Sequence, residues 1–217
     1  MAIRKDGLDT QDKLLKAASA VFADKGYQNT TVAEISRCAE CNVASVNYHF
    51  GSKDALYIAV WKNAFAEAMQ MYPPDGGLTA EAPPDEKLRA LVYSHLHRIL
   101  DDGRLGYAGK ILLQEMAQPT EVIHMVRHEV IGHIREHTRS IIKELLGPEG
   151  SDQDINFCEM SVIHQCLAIG FRKGRLPPHM APKKLTAEFI DALVNHITRF
   201  CLAGIASVRE SIESRNS

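Results

Sequence analysis

Ser45, Asn47 and Tyr48 gather hydrogen-bonding tips of modest size into one short stretch of the chain. Such side chains reach base edges or phosphate oxygens without a bulky apolar barrier, and Asn can pair bidentately with adenine. Thr31, Ala44, His49 and Lys53 flank them. Ala44 opens the reading surface, while Thr31, His49 and Lys53 are placed to fix register on a phosphate backbone, Lys53 as its cation. The chemistry on offer is recognition of double-stranded DNA.

Other constellations offer less. Cys38 and Cys41 have the spacing of a redox pair or of half a zinc site, but no second CxxC follows, and a zinc ribbon needs two. Five cysteines, an odd number, read as reduced thiols, with Cys38 and Cys41 as small side chains at a helix end and in a turn. Among ten histidines, His124 with His128 and His133 with His137 stand at i,i+4 spacing, which lets a pair share a metal on one helix face. At about 100° per residue, however, His124 and His133 point to opposite sides of one helix, so the two pairs cannot converge. They read as polar residues on a partly solvated face, and no metal or cofactor is assigned. Lacking a GxSxG elbow, a phosphate-cradling glycine loop and HExxH, the chain offers no catalytic residue and is expected not to be an enzyme.

The elements that hold Ser45, Asn47 and Tyr48 are written in residues 31–53, TVAEISRCAECNVASVNYHFGSK. Thr31 with Glu34 three residues on fits a capping box, and Val32, Ile35 and Ala39 give the helix that follows one buried face. Asn42 tolerates the left-handed backbone that a tight interhelical turn needs. A second helix over 44–49 turns Val46 and Phe50 inward, Gly51 lets the chain turn, and Ser52 caps a third helix beginning at Lys53. This is a helix-turn-helix with a connector. A helical hairpin that only packs would share that geometry, but not the small-residue surface and the cation in register with it.

Before it, Asp9 or Thr10 is expected to cap a first helix with Leu14, Leu15, Ala18, Val21 and Phe22 as its stripe and Gly26 as its end; Arg4 and Lys5 would form a cationic arm. Beyond it, Pro73-Pro74, Pro84, Pro119, Gly147-Pro148 and the 174–178 break punctuate a wholly helical remainder, and Ser151 and Thr186 are ready caps. The expected fold is all-α. Residues 1–53 form a three-helix DNA-binding domain, and 54–217 a larger helical domain for effector binding and dimerisation. A 217-residue chain that is 45% hydrophobic can bury a sizeable core. It shows no signal segment and no uninterrupted apolar run of spanning length, so a cytoplasmic protein is expected. A net charge of only -2 means that DNA must be held by a local basic patch rather than by the whole field.

Phe22, Gly26, Thr30-Thr31, Ile35, Val43, Ser45-Val46, Tyr48-His49-Phe50, Lys53 and Leu56, at their spacing, resemble the TetR family of bacterial transcriptional regulators. The likeness covers about a quarter of the chain and departs at Asn47, where many members carry an aromatic, which bears on the bases read. Residues 112–147, with Glu115-Met116 and Pro119-Thr120 ahead of a long helix, resemble the second domain of the CecR-like subgroup. The resemblance implies a ligand-binding and dimerisation domain and a homodimer through the last two helices. Pairing also doubles the number of bases read.

An effector pocket is expected among Trp61, Phe65, His95, Met116, Met125, Gln165 and Phe171, apolar with a few hydrogen-bonding groups. The expected function is a dimeric repressor released from a palindromic DNA operator by a small-molecule ligand. The alternatives are a metal- or redox-sensing regulator and, in another class, a helical metal-binding protein or enzyme.

Overall fold

Helices carry every regular element among the described residues of the computed structural model, 2–170 and 185–216. Side chains are described there except at 2–8, 123, 125–130 and 216. The helices are α1 Ala2–Lys25, α2 Val32–Cys38, α3 Val43–Phe50, α4 Lys53–Met71, α5 Pro84–Leu100, α6 Tyr107–Ala117, α7 Glu121–Leu146, α8 Asp152–Gly170 and α9 Ala187–Asn216, with a 3₁₀ turn at Arg104–Gly106 before α6. The expected all-α fold is what is found. The break expected over 174–178 lies outside the described residues.

The chain packs as two compact units, 1–68 with 101–130 and 69–100 with 131–217. In the first, Leu14, Ala18 and Phe22 of α1, Ile35 of α2, Val46 of α3 and Leu56 and Tyr57 of α4 are fully buried. The Phe22 ring meets Tyr57 edge-on at 4.8 Å, and Tyr27 lies 5.0 Å from Tyr57. In the second, the core is Leu88, Leu91, Val92 and Leu96 of α5, Ile141 and Ile142 of α7, Val162 of α8 and Val194 and Ile197 of α9.

Local chemistry sets the helix ends. Gly26 takes φ +76 just past α1, the left-handed position that glycine occupies without penalty. Ser52 Oγ accepts from Ala55 N at 3.1 Å and Thr186 Oγ1 from Phe189 N at 3.2 Å. Ser151 and Asp154 cap α8 reciprocally, with Asp154 N donating to Ser151 Oγ at 3.2 Å and Ser151 N to Asp154 Oδ2 at 3.2 Å.

Three local expectations need correction. Helix α1 starts at Ala2 rather than at Asp9 or Thr10, because Ala, Ile, Arg and Lys all tolerate a helix. Arg4 and Lys5 therefore lie within its first turns rather than on an arm, their side chains outside the described residues. Between α2 and α3 the left-handed residue is Glu40, φ 54, not Asn42. Asn42 is instead the N-cap of α3, with extended backbone and its side chain accepting from Ala44 N at 2.9 Å, and that role requires a non-helical φ and ψ. Finally, Thr31 Oγ1 does accept from Glu34 N at 3.2 Å, but the Glu34 carboxylate turns to Lys25 rather than back to the cap.

Candidate functional site

Helix α3 is a short amphipathic helix of about two turns held from beneath. Val46 is fully buried while Tyr48 is 85% exposed. Ala44 and Asn47 are exposed, Ser45 and His49 half-buried, and Phe50 also half-buried at the trailing end. The Tyr48 and His49 rings meet edge-on at 4.9 Å, which limits where both tips point. The structure therefore gathers Ala44, Ser45, Asn47, Tyr48 and His49 on α3, with Thr31 exposed at the N-cap of α2.

Lys53 opens α4 on the far side of the Gly51 turn. Its ammonium sits 4.2 Å from the centre of the Tyr27 ring, a cation–π contact that orients it. Burial there lowers its pKa from the usual lysine range. The Tyr27 hydroxyl donates to Asp54, and burial together with that carboxylate pushes its pKa up to about 12. Tyr27 thus fixes the first turn of α4 through both its face and its tip. Nothing in sequence spacing announces this, since Tyr27 lies 26 positions before Lys53.

Deeper in the same unit, Glu115 at the end of α6 is 6% exposed. It accepts from the Tyr57 hydroxyl at 2.6 Å, from Thr120 N at 2.9 Å and from Thr120 Oγ1 at 3.0 Å. Burial, and then Glu115, raise the Tyr57 pKa above the ordinary tyrosine value. Gln114 Nε2 donates to the Ala23 carbonyl of α1 at 3.1 Å. Helix α6 is therefore bonded to both α1 and α4. Glu115 and Thr120 belong to the stretch that carried the second-domain resemblance, but their partnership with Tyr57 is tertiary.

In the second unit a buried base takes the corresponding place. Arg98 of α5 is 6% exposed, one turn from His95, which is 9% exposed. The guanidinium donates to the Met69 thioether and lies 3.3 Å from His95 Nδ1. Burial first, and then Arg98, push the His95 pKa down to about 3; burial also lowers that of Arg98 to about 10. Arg98 was not among the expected site residues. The signal was present, since it follows His95 by three and Leu91 by seven on the apolar stripe of α5.

The other expected effector residues are divided between the two units. Trp61 is fully buried with its Nε1 unpartnered, and Phe65 packs 6.2 Å away; both lie in the first unit. Met116, in that unit too, is 40% exposed. Gln165 of α8 donates to Cys201 Sγ at 3.3 Å and lines a groove with Phe157, Ser161, Phe200 and Gly204. Phe171 and the Met125 side chain lie outside the described residues.

The cysteines are free, Cys38 exposed and Cys41 half-buried, with Cys158, Cys166 and Cys201 buried. No group of three His, Cys, Asp or Glu able to hold a metal occurs among the described residues; the His128 side chain is not one of these. By length and composition alone, the Ala187–Arg215 stretch of α9 is apolar enough to cross a membrane, with 33% of its apolar window buried.

Comparison with known proteins gives a consistent picture. Residues 14–60 match the family described as bacterial regulatory proteins, tetR family, and residues 84–205 match the one described as HTH-type transcriptional dual regulator CecR, C-terminal domain. The HTH-type transcriptional dual regulator CecR of Shigella flexneri is 28% identical over 177 residues, 78% of each chain. The HTH-type transcriptional repressor NicS of Pseudomonas putida is 36% identical over 84 residues, 38% of each. Among solved structures, a TetR-like regulator from Rhodococcus sp. RHA1 superposes with a TM-score of 0.68 at 20% identity, covering 91% of this chain and 96% of that one. FadR from Bacillus subtilis, in complex with stearoyl-CoA, gives 0.66 at 16% identity over 88% and 97%. Identities this low speak to the fold.

Proposed function

The chain belongs to the TetR family of bacterial regulators, with a C-terminal domain of the CecR type, and we propose that it is a homodimeric repressor released from a palindromic operator by a small molecule. The observation that carries the DNA reading is the α3 surface, where Tyr48 and Asn47 stand exposed over a buried Val46. Ala44, Ser45, Asn47 and Tyr48 read bases or bind the adjoining backbone, while Thr31, His49 and Lys53 set register. Residues 1–53 are the DNA-reading part and 54–217 the effector and dimerisation part. No enzymatic step is assigned, and the protein works in the cytoplasm, where its operator is.

Dimerisation runs through α8 and α9. Phe157 and Met160 of α8 and Phe200 of α9 are 58%, 54% and 62% exposed, an outlay of large apolar surface that a monomer does not leave in water. The apolar length of α9 has the same reading: it packs on a second copy, not in a bilayer. Effector binding tilts α4, and so alters the spacing of the two α3 helices; the Tyr57–Glu115 bond between α4 and α6 supports that route. A preference of a few kcal/mol for the released form suffices, since about 1.4 kcal/mol is a factor of ten.

Selection of DNA from a random pool, with the wild type and with Asn47→Ala, tests the reading. The wild type should enrich a two-fold symmetric site, and Asn47→Ala should relax one position in each half. No enrichment by folded, dimeric protein would overturn sequence-specific reading, and an unaltered profile with Asn47→Ala would remove Asn47 from base contact.

A further inference from the structure

Arg98 is 6% exposed, yet no carboxylate among the described residues meets it. Its partners are the Met69 thioether and His95 Nδ1 at 3.3 Å. That same imidazole nitrogen lies 2.9 Å from the Leu91 carbonyl. One ring nitrogen either carries a proton for the carbonyl or offers a lone pair to the guanidinium. In the first tautomer the described residues leave Arg98 a weak sulfur acceptor alone; in the second it gains one bond. Either way most of its five N–H donors go without an acceptor among the described residues.

Among the described residues the neighbourhood supplies no compensating negative charge. The Cys166 thiol, whose charge would bear on Arg98, is pushed up to about 12 by burial. His95 is neutral at physiological pH and adds no second cation. His137, which acts on His95 from α7, has a buried Nε2 with no partner among the described residues. Among the described residues, one unbalanced positive charge therefore sits buried against neutral, polarisable side chains.

We propose that Arg98 anchors the effector, and that the effector is a monocarboxylic acid with an apolar body, its two oxygens held by the planar guanidinium fork. The match is one of charge and shape. A carboxylate fits the fork with two parallel hydrogen bonds, and its single charge equals the single cation found there among the described residues, whereas a phosphate dianion would find no second one among them. The Met69 thioether suits the apolar remainder. This rests on the reading of the C-terminal domain as the ligand-binding part of a repressor.

Calorimetric titration of the full-length protein tests it, with octanoate and benzoate as probes and octanamide and benzamide as their uncharged counterparts. At least one acid should saturate the wild type and bind about tenfold or more tightly than its amide. Arg98→Met should abolish that preference, and Arg98→Lys, which keeps the charge but not the fork, should fall between. The site is overturned if neither acid saturates the wild type, if acid and amide bind alike, or if Arg98→Met with wild-type helix content binds the acid as before. Should Arg98→Met lose helix content, Arg98→Lys and the acid–amide comparison decide. Binding to the selected DNA, measured in parallel, separates the two readings. Acid that binds through Arg98 without changing DNA affinity sinks the effector role but keeps the site; acid that releases DNA from wild type and Arg98→Met alike does the reverse.

Discussion

Glu115 and Arg98 are buried to the same degree, 6% exposed in each case, and their surroundings treat them in opposite ways. In the first unit Glu115 receives the Tyr57 hydroxyl, the Thr120 amide and the Thr120 hydroxyl. In the second, Arg98 meets a thioether and a shared imidazole nitrogen. A buried polar group whose bonds are complete fixes the elements that bond to it; one whose bonds are missing is costly until something completes them. The first is a clamp between α4 and the α6 end, and the second is a receptor for charge.

The largest effect should come from Glu115→Ala. It removes from a buried site the acceptor of the Tyr57 hydroxyl and of the Thr120 amide and hydroxyl, and should cost about 3 kcal/mol or more. Urea unfolding at fixed protein concentration would show this as a lowered midpoint. Under the same conditions unliganded Arg98→Met should unfold no earlier than wild type, since an apolar side chain replaces a buried cation that has only a thioether and a shared imidazole nitrogen to lose. An equal loss in both variants would break the contrast between them.

Much of the frame that holds these groups was legible in the sequence because it is local. Thr31, Ser52, Ser151 and Thr186 act within three residues of where they stand, and Gly26 answers a backbone demand at its own position. Where two local devices competed for one residue, pattern alone misled: Asn42 suits both a left-handed turn and an N-cap, and the cap took it, leaving Glu40 to turn the chain. The polar sites themselves are long-range. Tyr57 and Glu115 stand 58 residues apart and share no periodicity, and Arg98 on an apolar stripe looks like a residue that snorkels to solvent until its burial is seen. The α3 surface was readable because its small and polar residues follow one another in sequence.

A middle-sized effect should separate the hydroxyl of Tyr57 from its ring. The ring packs on Phe22 and Tyr27, contacts that phenylalanine keeps, so Tyr57→Phe removes one donor while Glu115 retains those of Thr120. The expected cost is about 1.5 kcal/mol, the worth of one hydrogen bond to a carboxyl group, again read from the urea midpoint. If the hydroxyl also couples α6 to α4, the variant should release DNA less completely at saturating effector than wild type. A stability loss matching that of Glu115→Ala would show that Tyr57 alone carries the clamp.

The smallest effect concerns the receptor side and depends on pH. The pKa of His95 is pushed down to about 3 in the folded chain, by burial first and by Arg98 next, against an unfolded value of about 6.5. Below pH 6.5 the unfolded chain therefore takes up a proton that the folded chain refuses, so stability present above that pH is lost as pH falls toward 3. The loss between pH 6.5 and 5.5 is about 1 kcal/mol from this group. His95→Gln cannot take up that proton, so its stability should decline with acid less steeply than wild type by that amount, the other histidines being common to both. Parallel curves would mean that His95 already holds a proton in the folded state. Then Arg98 would face a second cation, the charge beside the guanidinium would be two rather than one, and the preferred effector would shift from a monocarboxylate toward a dianion.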